Sequence, residues 1–304
     1  MQKVKSGVTI CILLSTYNGE KYIEEQLNSL LEQEGVEISI LVRDDGSNDR
    51  TTEILSKWQT EGKLKWYSGE NLRSARSFLN LLQTAPDCDF YAFCDQDDVW
   101  DCDKLKIAIS KLSGLKNPAL YCSNTMLVDY DLNEIGCSKK INRFNFIASL
   151  ISNPVTGCTA VFNKELKDLA CLFTPSYIDM HDWWIYRICM AVGGVLVFDE
   201  QPHIRYRQHG GNVIGGLVSS ADIRKRHINA LKRHGDGPRF RVIKELYYGY
   251  VHILPRDNAE ILELAFSYKK SWRYKLKWLY KGTNAIGGFR NKRNFALAVL
   301  LNKF

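Results

Sequence analysis

Apolar positions over the first 115 residues alternate between two patterns. Val8-Thr-Ile-Cys-Ile-Leu-Leu14 and Ile38-Ser-Ile-Leu-Val42 are short, nearly continuous apolar runs with polar borders, as in strands buried on both faces. Between them, Ile23, Leu27, Leu30 and Leu31 recur at helical spacing within 20–34, and Gly35 supplies a stop. The alternation continues with a helix over 50–59, a strand near 64–67, a helix over 74–84 with Phe78, Leu81 and Leu82 on one face, a strand over 89–94 and a helix over 103–113. Strand and helix in turn predict an α/β fold with a mostly parallel central sheet and right-handed crossovers. Ligands of such sheets lie beyond the carboxyl ends of the strands. Three polar loops fall at that edge: Ser15-Thr-Tyr-Asn-Gly19, Arg43-Asp-Asp-Gly-Ser-Asn-Asp49 and Asp95-Gln-Asp-Asp98.

Beyond residue 119 the apolar pieces shorten. Ala119–Cys122, Thr156–Phe162 and Val195–Phe198 read as strands, with helices near 164–172 and 183–192 between them. The chain thus divides into a strand–helix half over about 1–115, an α+β half over about 116–220 that would hold a second substrate, and a basic, aromatic, helical extension over 221–304.

The third loop has the strongest chemical signature. An apolar run, Tyr91-Ala-Phe-Cys, breaks into three carboxylates within four positions and then an aromatic residue, Trp100. Carboxylates at a strand end can converge on one point, where they raise one another's pKa unless a cation lies among them. Hard oxygen ligands suit Mg²⁺ or Mn²⁺, with diphosphate oxygens completing an octahedron. A solvated loop with an Asp helix cap is the plain alternative. No GxGxxG follows the first strand and no GxxxxGK[ST] occurs, which argues against a dinucleotide or P-loop site.

Charge separates the two ends of the chain. Residues 222–304 hold 19 Lys and Arg against 6 Asp and Glu, and Glu263 is the last acidic residue. The mildly acidic remainder argues against nucleic acid as a partner. In the tail, Trp272, Tyr274, Trp278, Tyr280, Phe289 and Phe295 interleave with basic residues. That pattern suits an anionic membrane surface, with residues 264–304 as the contact, or equally a helical extension packed on the catalytic domain or on a second subunit, which leaves a homodimer open. The nine cysteines form no CxxC pair and no signal peptide or bilayer-spanning run is visible. The expected location is the cytoplasm, peripheral at the inner face of the plasma membrane.

Four elements in order resemble the inverting family 2 glycosyltransferases of GT-A fold over about residues 7–210. They are Ser15-Thr-Tyr-Asn-Gly19, Asp44-Asp-Gly-Ser47 with Asp49 and Thr51, Asp95-Gln-Asp-Asp98, and the acid in His181-Asp-Trp-Trp184. The Asp-Trp-Trp and the later Tyr206-Arg-Gln-His-Gly210 are most similar to rhamnosyltransferase-like members. The resemblance implies transfer of rhamnose from dTDP-rhamnose to a cell-surface polysaccharide or polyprenyl-linked glycan; the alternatives are a UDP-hexose donor, or a non-catalytic module that binds glycan or nucleotide. Such a module would lack a base or metal carboxylate, and a nucleotidyltransferase would carry a Gly-rich basic loop after the first strand.

In the implied roles, Asp45 accepts the imide N–H of uracil or thymine, with a solvated turn as the alternative. Ser15, Tyr17 and Asn18 flank the base and ribose, or cap the loop. Asp97 is the first choice of metal ligand, Asp95 faces the ribose or a metal-bound water, and Asp98 either ligates or caps a helix. His209 reaches the metal or diphosphate, or is a loop residue. Asp182 is the general base and Trp183 and Trp184 the sugar platform, unless Asp182 is a cap and the tryptophans are core. Gly157 and Cys158 lie under the acceptor or form a plain turn. Arg73 is a departure: it stands where relatives often have glycine after Asn71-Leu72, so its phosphate contact is open.

Overall fold

A computed structural model describes residues 7–138, 143–209 and 236–304. The first half follows the predicted alternation closely: β1 Thr9–Thr16, α1 Ile23–Leu31, β2 Glu37–Asp44, α2 Thr51–Thr60, β3 Lys65–Ser68, α3 Arg73–Thr84, β4 Phe90–Cys94, β5 Val99–Trp100 and α4 Lys104–Leu112. The second half comprises β6 Ala119–Ser123, β7 Met126–Val128, β8 Glu134–Cys137, α5 Phe146–Ile151, β9 Val161–Asn163, α6 Lys164–Cys171, α7 His181–Ala191, β10 Val195–Asp199 and β11 Ile204–Arg207. Four helices follow: α8 Pro238–Tyr250, α9 Arg256–Ser267, α10 Trp272–Ala285 and α11 Phe289–Leu300. The expected boundary at 220/221 and the Gly210 of the Tyr-Arg-Gln-His-Gly segment lie outside the described residues.

Seven strands form the main sheet in the order β10-β6-β9-β4-β1-β2-β3. Every adjacent pair is parallel except the two made by β9. The register aligns Thr16 with Asp44, Asp44 with Ser68 and Leu14 with Cys94, so β1 to β4 end at one edge. Alternation along β1 explains its unbroken apolar run. Cys11 and Leu13 face a core layer with α3 and α7, while Ile10, Ile12 and Leu14 face one with α1 and α4.

Two features depart from the sequence pattern. The strand expected over 156–162 begins as a 3₁₀ turn at Gly157–Thr159 and is extended only in β9, because Thr159 bonds back to the Thr156 carbonyl through both its N–H and its hydroxyl. A second, small sheet, β5-β11-β7-β8, covers the acidic edge, and its strands of two to four residues are too short to show periodicity.

The extension packs on the α+β half. Tyr250, Tyr268, Trp278, Phe295 and Phe304 share one buried cluster with Phe93, Phe162 and Trp184. Of the aromatics singled out in the tail, Trp278 and Phe295 are therefore core, whereas Trp272, Tyr280 and Phe289 are exposed. Gly282 makes the docking of α10 possible, since a Cβ there would lie 2.2 Å from Phe295 Cζ and 3.1 Å from Ile151 Cδ1. No helix among the described residues is long and apolar enough to cross a membrane. Gly282→Val should push α10 away from α11 and α5 and lower stability by about 1–3 kcal/mol, the usual cost of overpacking; chemical denaturation read by tryptophan fluorescence measures it.

Candidate active site

The loops after β1 and β2 interlock. Asn18 N–H donates to Ser47 Oγ at 2.8 Å, Asn48 N–H to Asn18 Oδ1 at 2.9 Å, Gly19 N–H to Thr51 Oγ1 at 2.8 Å and Glu20 N–H to Asp49 Oδ2 at 3.0 Å. Asp44 is a turn anchor: its carboxylate receives Gly46 N–H at 3.1 Å, Ser47 N–H at 2.9 Å and the Thr16 hydroxyl at 3.0 Å. Gln96 then clamps the first loop to the third, because its amide accepts from Tyr17 N–H at 2.9 Å and donates to Tyr17 O at 3.1 Å. Tyr17 is left 46% exposed at the mouth of the cleft.

Asp45 is buried and pairs with the Arg43 guanidinium. Arg43 is itself fixed by Asn80 Oδ1 at 3.1 Å, Ser77 Oγ at 3.2 Å and the Glu70 carbonyl at 2.9 Å. Ser15 shares a hydrogen bond of 2.7 Å with Ser77 on the same side of α3. Sequence reasoning missed Arg43, although an arginine directly before two aspartates was the available signal. Arg73, at the first position of α3, has φ +64°, the left-handed region in which glycine is unstrained. A glycine would match this backbone, and this chain places an exposed guanidinium there instead.

Beyond β4 the three acids lie at different depths, with Asp98 buried and Asp95 and Asp97 partly exposed. Asp98 is buried, and its Oδ1 accepts the Arg207 N–H at 3.1 Å, which joins the loop to β11. Its Oδ2 has no N–H or O–H donor among the described residues, and the Cys158 thiol lies against the carboxyl group. Ligand atoms of Asp95, Asp98 and Cys158 fall within 4.8 Å of one another. Cys158, expected beneath the acceptor, thus belongs to the floor of the acid cluster, where desolvation and the two aspartates push its thiol pKa well up. Desolvation, Asp97 and Asp182 together raise Asp95 to about 7. Asp97 is shallower, and its Oδ2 lies 2.7 Å from His209 Nε2. The His209 ring stacks on Tyr22 with centroids 5.2 Å apart. Arg207 braces this corner through the Asp97 carbonyl at 3.0 Å, the Tyr130 carbonyl and the Glu25 carboxylate.

Lys104 is the unforeseen member. It is fully buried, its Nζ sits 3.0 Å from the Trp100 ring centroid with no hydrogen-bond partner among the described residues, and burial lowers its pKa to about 7. Cys94, Cys158 and Asp98 act against that lowering, so Lys104 supplies positive potential beneath the acids. Lysines are seldom fully buried, and its position at a helix start gave no warning.

Asp182 enters from the other side, in the first turn of α7, with its Oδ1 accepting the Trp183 N–H at 2.6 Å. It is 3% exposed, and its charge is felt by Asp95. Gly157 lets α7 approach this closely, because a Cβ there would lie 2.7 Å from His181 Nε2 and 3.5 Å from Asp182 Cβ. Trp183 is half-buried, with its Nε1 donating to Ser149 O at 2.6 Å and the Arg187 guanidinium 3.8 Å above its ring. Trp184, expected at the acceptor, is corrected to core. Its side chain is fully buried edge-on to Tyr250 and has no face for a sugar.

His181 stacks on Phe78 at 3.8 Å, has no partner on either ring nitrogen among the described residues and is depressed by burial to about 3. The unfolded chain therefore binds a proton below about pH 6.5 that the folded chain refuses, and stability falls as pH drops through that window. Between pH 8 and 5 this amounts to about 2 kcal/mol. His181→Leu should flatten the acid side of the stability profile by that amount, measured by urea unfolding at both pH values.

Comparison with known proteins matches residues 11–171 to the model of glycosyl transferase family 2. The dTDP-rhamnosyl transferase RfbG of Shigella flexneri is 31% identical over 224 residues, 68% of this chain and 75% of that protein. A UDP-Glc:alpha-D-GlcNAc-diphosphoundecaprenol beta-1,3-glucosyltransferase of Escherichia coli is 31% identical over 178 residues, 58% of this chain and 68% of its own length. Among solved structures, Staphylococcus aureus TarS 1–349 in complex with UDP-GlcNAc superposes with a TM-score of 0.57 at 15% identity, covering 97% of this chain and 89% of that one.

Proposed function

The chain belongs to glycosyl transferase family 2 and has the GT-A fold, and from this we propose that it transfers rhamnose from dTDP-rhamnose to a growing cell-surface polysaccharide or polyprenyl-linked glycan, with inversion at the anomeric carbon. One observation carries the chemistry. Asp182, buried in the first turn of α7, acts electrostatically on Asp95 of the loop after β4, which supports reading Asp182 as the proton acceptor and the acid loop as the diphosphate site. The rhamnosyl donor is favoured by the Shigella flexneri relative. The Escherichia coli relative supports a UDP-hexose as the second reading.

The donor half would seat the base between Tyr17 and the buried Asp45, whose pairing with Arg43 sets the orientation of its carboxylate. Arg73 reaches solvent at the start of α3, where a guanidinium can approach phosphate oxygens. The acid loop fits Mn²⁺ or Mg²⁺. Asp97 and Asp95 offer hard oxygens, His209 an imidazole beside Asp97, and Asp98 an oxygen with no N–H or O–H donor among the described residues, whereas the protonated Cys158 thiol is a poor ligand for a hard cation. When bound, the cation neutralises the departing nucleoside diphosphate. Asp182, oriented by the Trp183 N–H, takes the proton of the acceptor hydroxyl as the new glycosidic bond forms and the bond to the diphosphate breaks. Trp183 supplies the apolar flank.

Asp182→Asn keeps the shape and the Oδ1 acceptor but cannot take the proton. Transfer should fall by about 10²–10⁴-fold with donor affinity nearly unchanged. Retention at the anomeric carbon, or near wild-type rates, would remove Asp182 as base. Asp97→Asn should instead abolish the gain in nucleotide affinity that Mn²⁺ gives the wild type, measured by calorimetry with and without the metal; equal wild-type affinity in both would exclude the cation. A product assay across dTDP-rhamnose and UDP-hexoses separates the two donor readings.

A further inference from the structure

The extension has two faces of opposite character. Towards the protein, α10 buries Lys275, Trp278 and Gly282, and α11 buries Phe295 and Val299. Away from it, Trp272, Leu276 and Tyr280 are 65%, 56% and 72% exposed, and their spacing of four puts them in one row along α10. Arg273, Lys277 and Lys281 follow each of these by one position and form a parallel row, all three exposed. On α11 the outward residues repeat the mixture: Phe289 is 82% exposed and Leu297 49%, interleaved with exposed Arg290 and Arg293.

The positive charge here has no internal counterpart. Residues 264–304 contain ten Lys and Arg and no Asp or Glu. Lys269 is tied to Asp236 at 2.7 Å and Lys275 is buried, but no carboxylate among the described residues pairs with Arg273, Lys277, Lys281, Arg290 or Arg293. An ordinary solvated face would not also carry a tryptophan, a phenylalanine and two leucines exposed over about half or more of their surface. A nucleic-acid face would not need aliphatic residues in register with the cations. Apolar side chains that enter a headgroup layer beside cations that meet its charge are the combination that holds a helix in a membrane interface. An apolar groove of about 460 Å³, lined by Phe146, Ile147, Ile261 and Tyr280, borders the row on α10.

We propose that the outward faces of α10 and α11 form a docking surface for an anionic lipid bilayer, with Trp272, Tyr280 and Phe289 entering the interface and the Arg273–Lys277–Lys281 row lying against acidic headgroups. The rest of the tail docks the catalytic domain, so attachment needs no unfolding of the packed side. This surface is separate from the transfer chemistry and leaves that reading untouched.

Co-sedimentation of the full chain with phosphatidylglycerol–phosphatidylcholine vesicles, against pure phosphatidylcholine, tests it. Binding should require the anionic lipid and weaken as salt rises. Arg273→Gln/Lys277→Gln/Lys281→Gln and, separately, Trp272→Ser/Tyr280→Ser should each weaken it by at least about tenfold. All five positions are exposed, so thermal midpoints should stay at the wild-type value and loss of binding cannot be ascribed to misfolding. No binding of the wild type, or binding unchanged in both variants, overturns the proposal. So does a dimer seen by light scattering that both variants dissociate, since the face would then belong to a second copy.

Discussion

Gathering negative charge at the edge of a sheet is the demand around which this fold is arranged. Asp97 and Asp182 act on Asp95, Asp95 and Asp97 act on Asp98, and desolvation adds to the cost of charging Asp95 and Asp98. Such a cluster persists only where the backbone beneath it cannot move apart. All five residues of β4 are buried, and β4 lies between β1 and β9 in the middle of the sheet. Basic side chains are placed around the rim and floor: Lys104 below, the Arg207 guanidinium across the β11 strap, and the His209 ring against Asp97. Rigid scaffold and frustrated site are complementary parts of one arrangement.

Much of this was legible in the residues, for definite reasons. Strands buried on both faces give unbroken apolar runs, so β1, β2 and β4 stood out together with the polar loops that end them. The small sheet did not, because β5 and β7 are two and three residues long. Trp184 shows the limit of a local motif. Adjacent helical positions point about 100° apart, so of the neighbouring tryptophans Trp183 keeps an exposed part while Trp184 enters the core. Lys104 and the Arg43–Asp45 pair were illegible in another way. Their partners come from elsewhere in the fold or depend on burial, which sequence spacing does not report.

The extension also holds the loop that precedes α7. Ser176 N–H donates to Glu245 of α8 at 2.9 Å, Arg241 of α8 lies 3.6 Å over the Tyr177 ring, and Arg239 approaches Trp183 at 5.8 Å. The loop that leads into α7 is thereby held by a helix far along the chain. Asp179 within that loop in turn grips Arg187 of α7 with two bonds, at 2.8 and 3.1 Å. Position along the chain and position in the site are decoupled, and truncating the basic tail would disturb more than its own surface.

The interlocked loops at the nucleotide edge set the thermodynamic character of that edge. Residues 17–20 and 47–51 are joined by reciprocal bonds between Asn18, Ser47, Asn48, Thr51 and Asp49, and Gln96 fixes Tyr17 from the third loop. Freedom that a floppy phosphate loop would lose on meeting its ligand has here been lost already, when the chain folded. A ligand captured at this edge would meet a preformed rim, and the entropy cost would be mostly that of the ligand and its water.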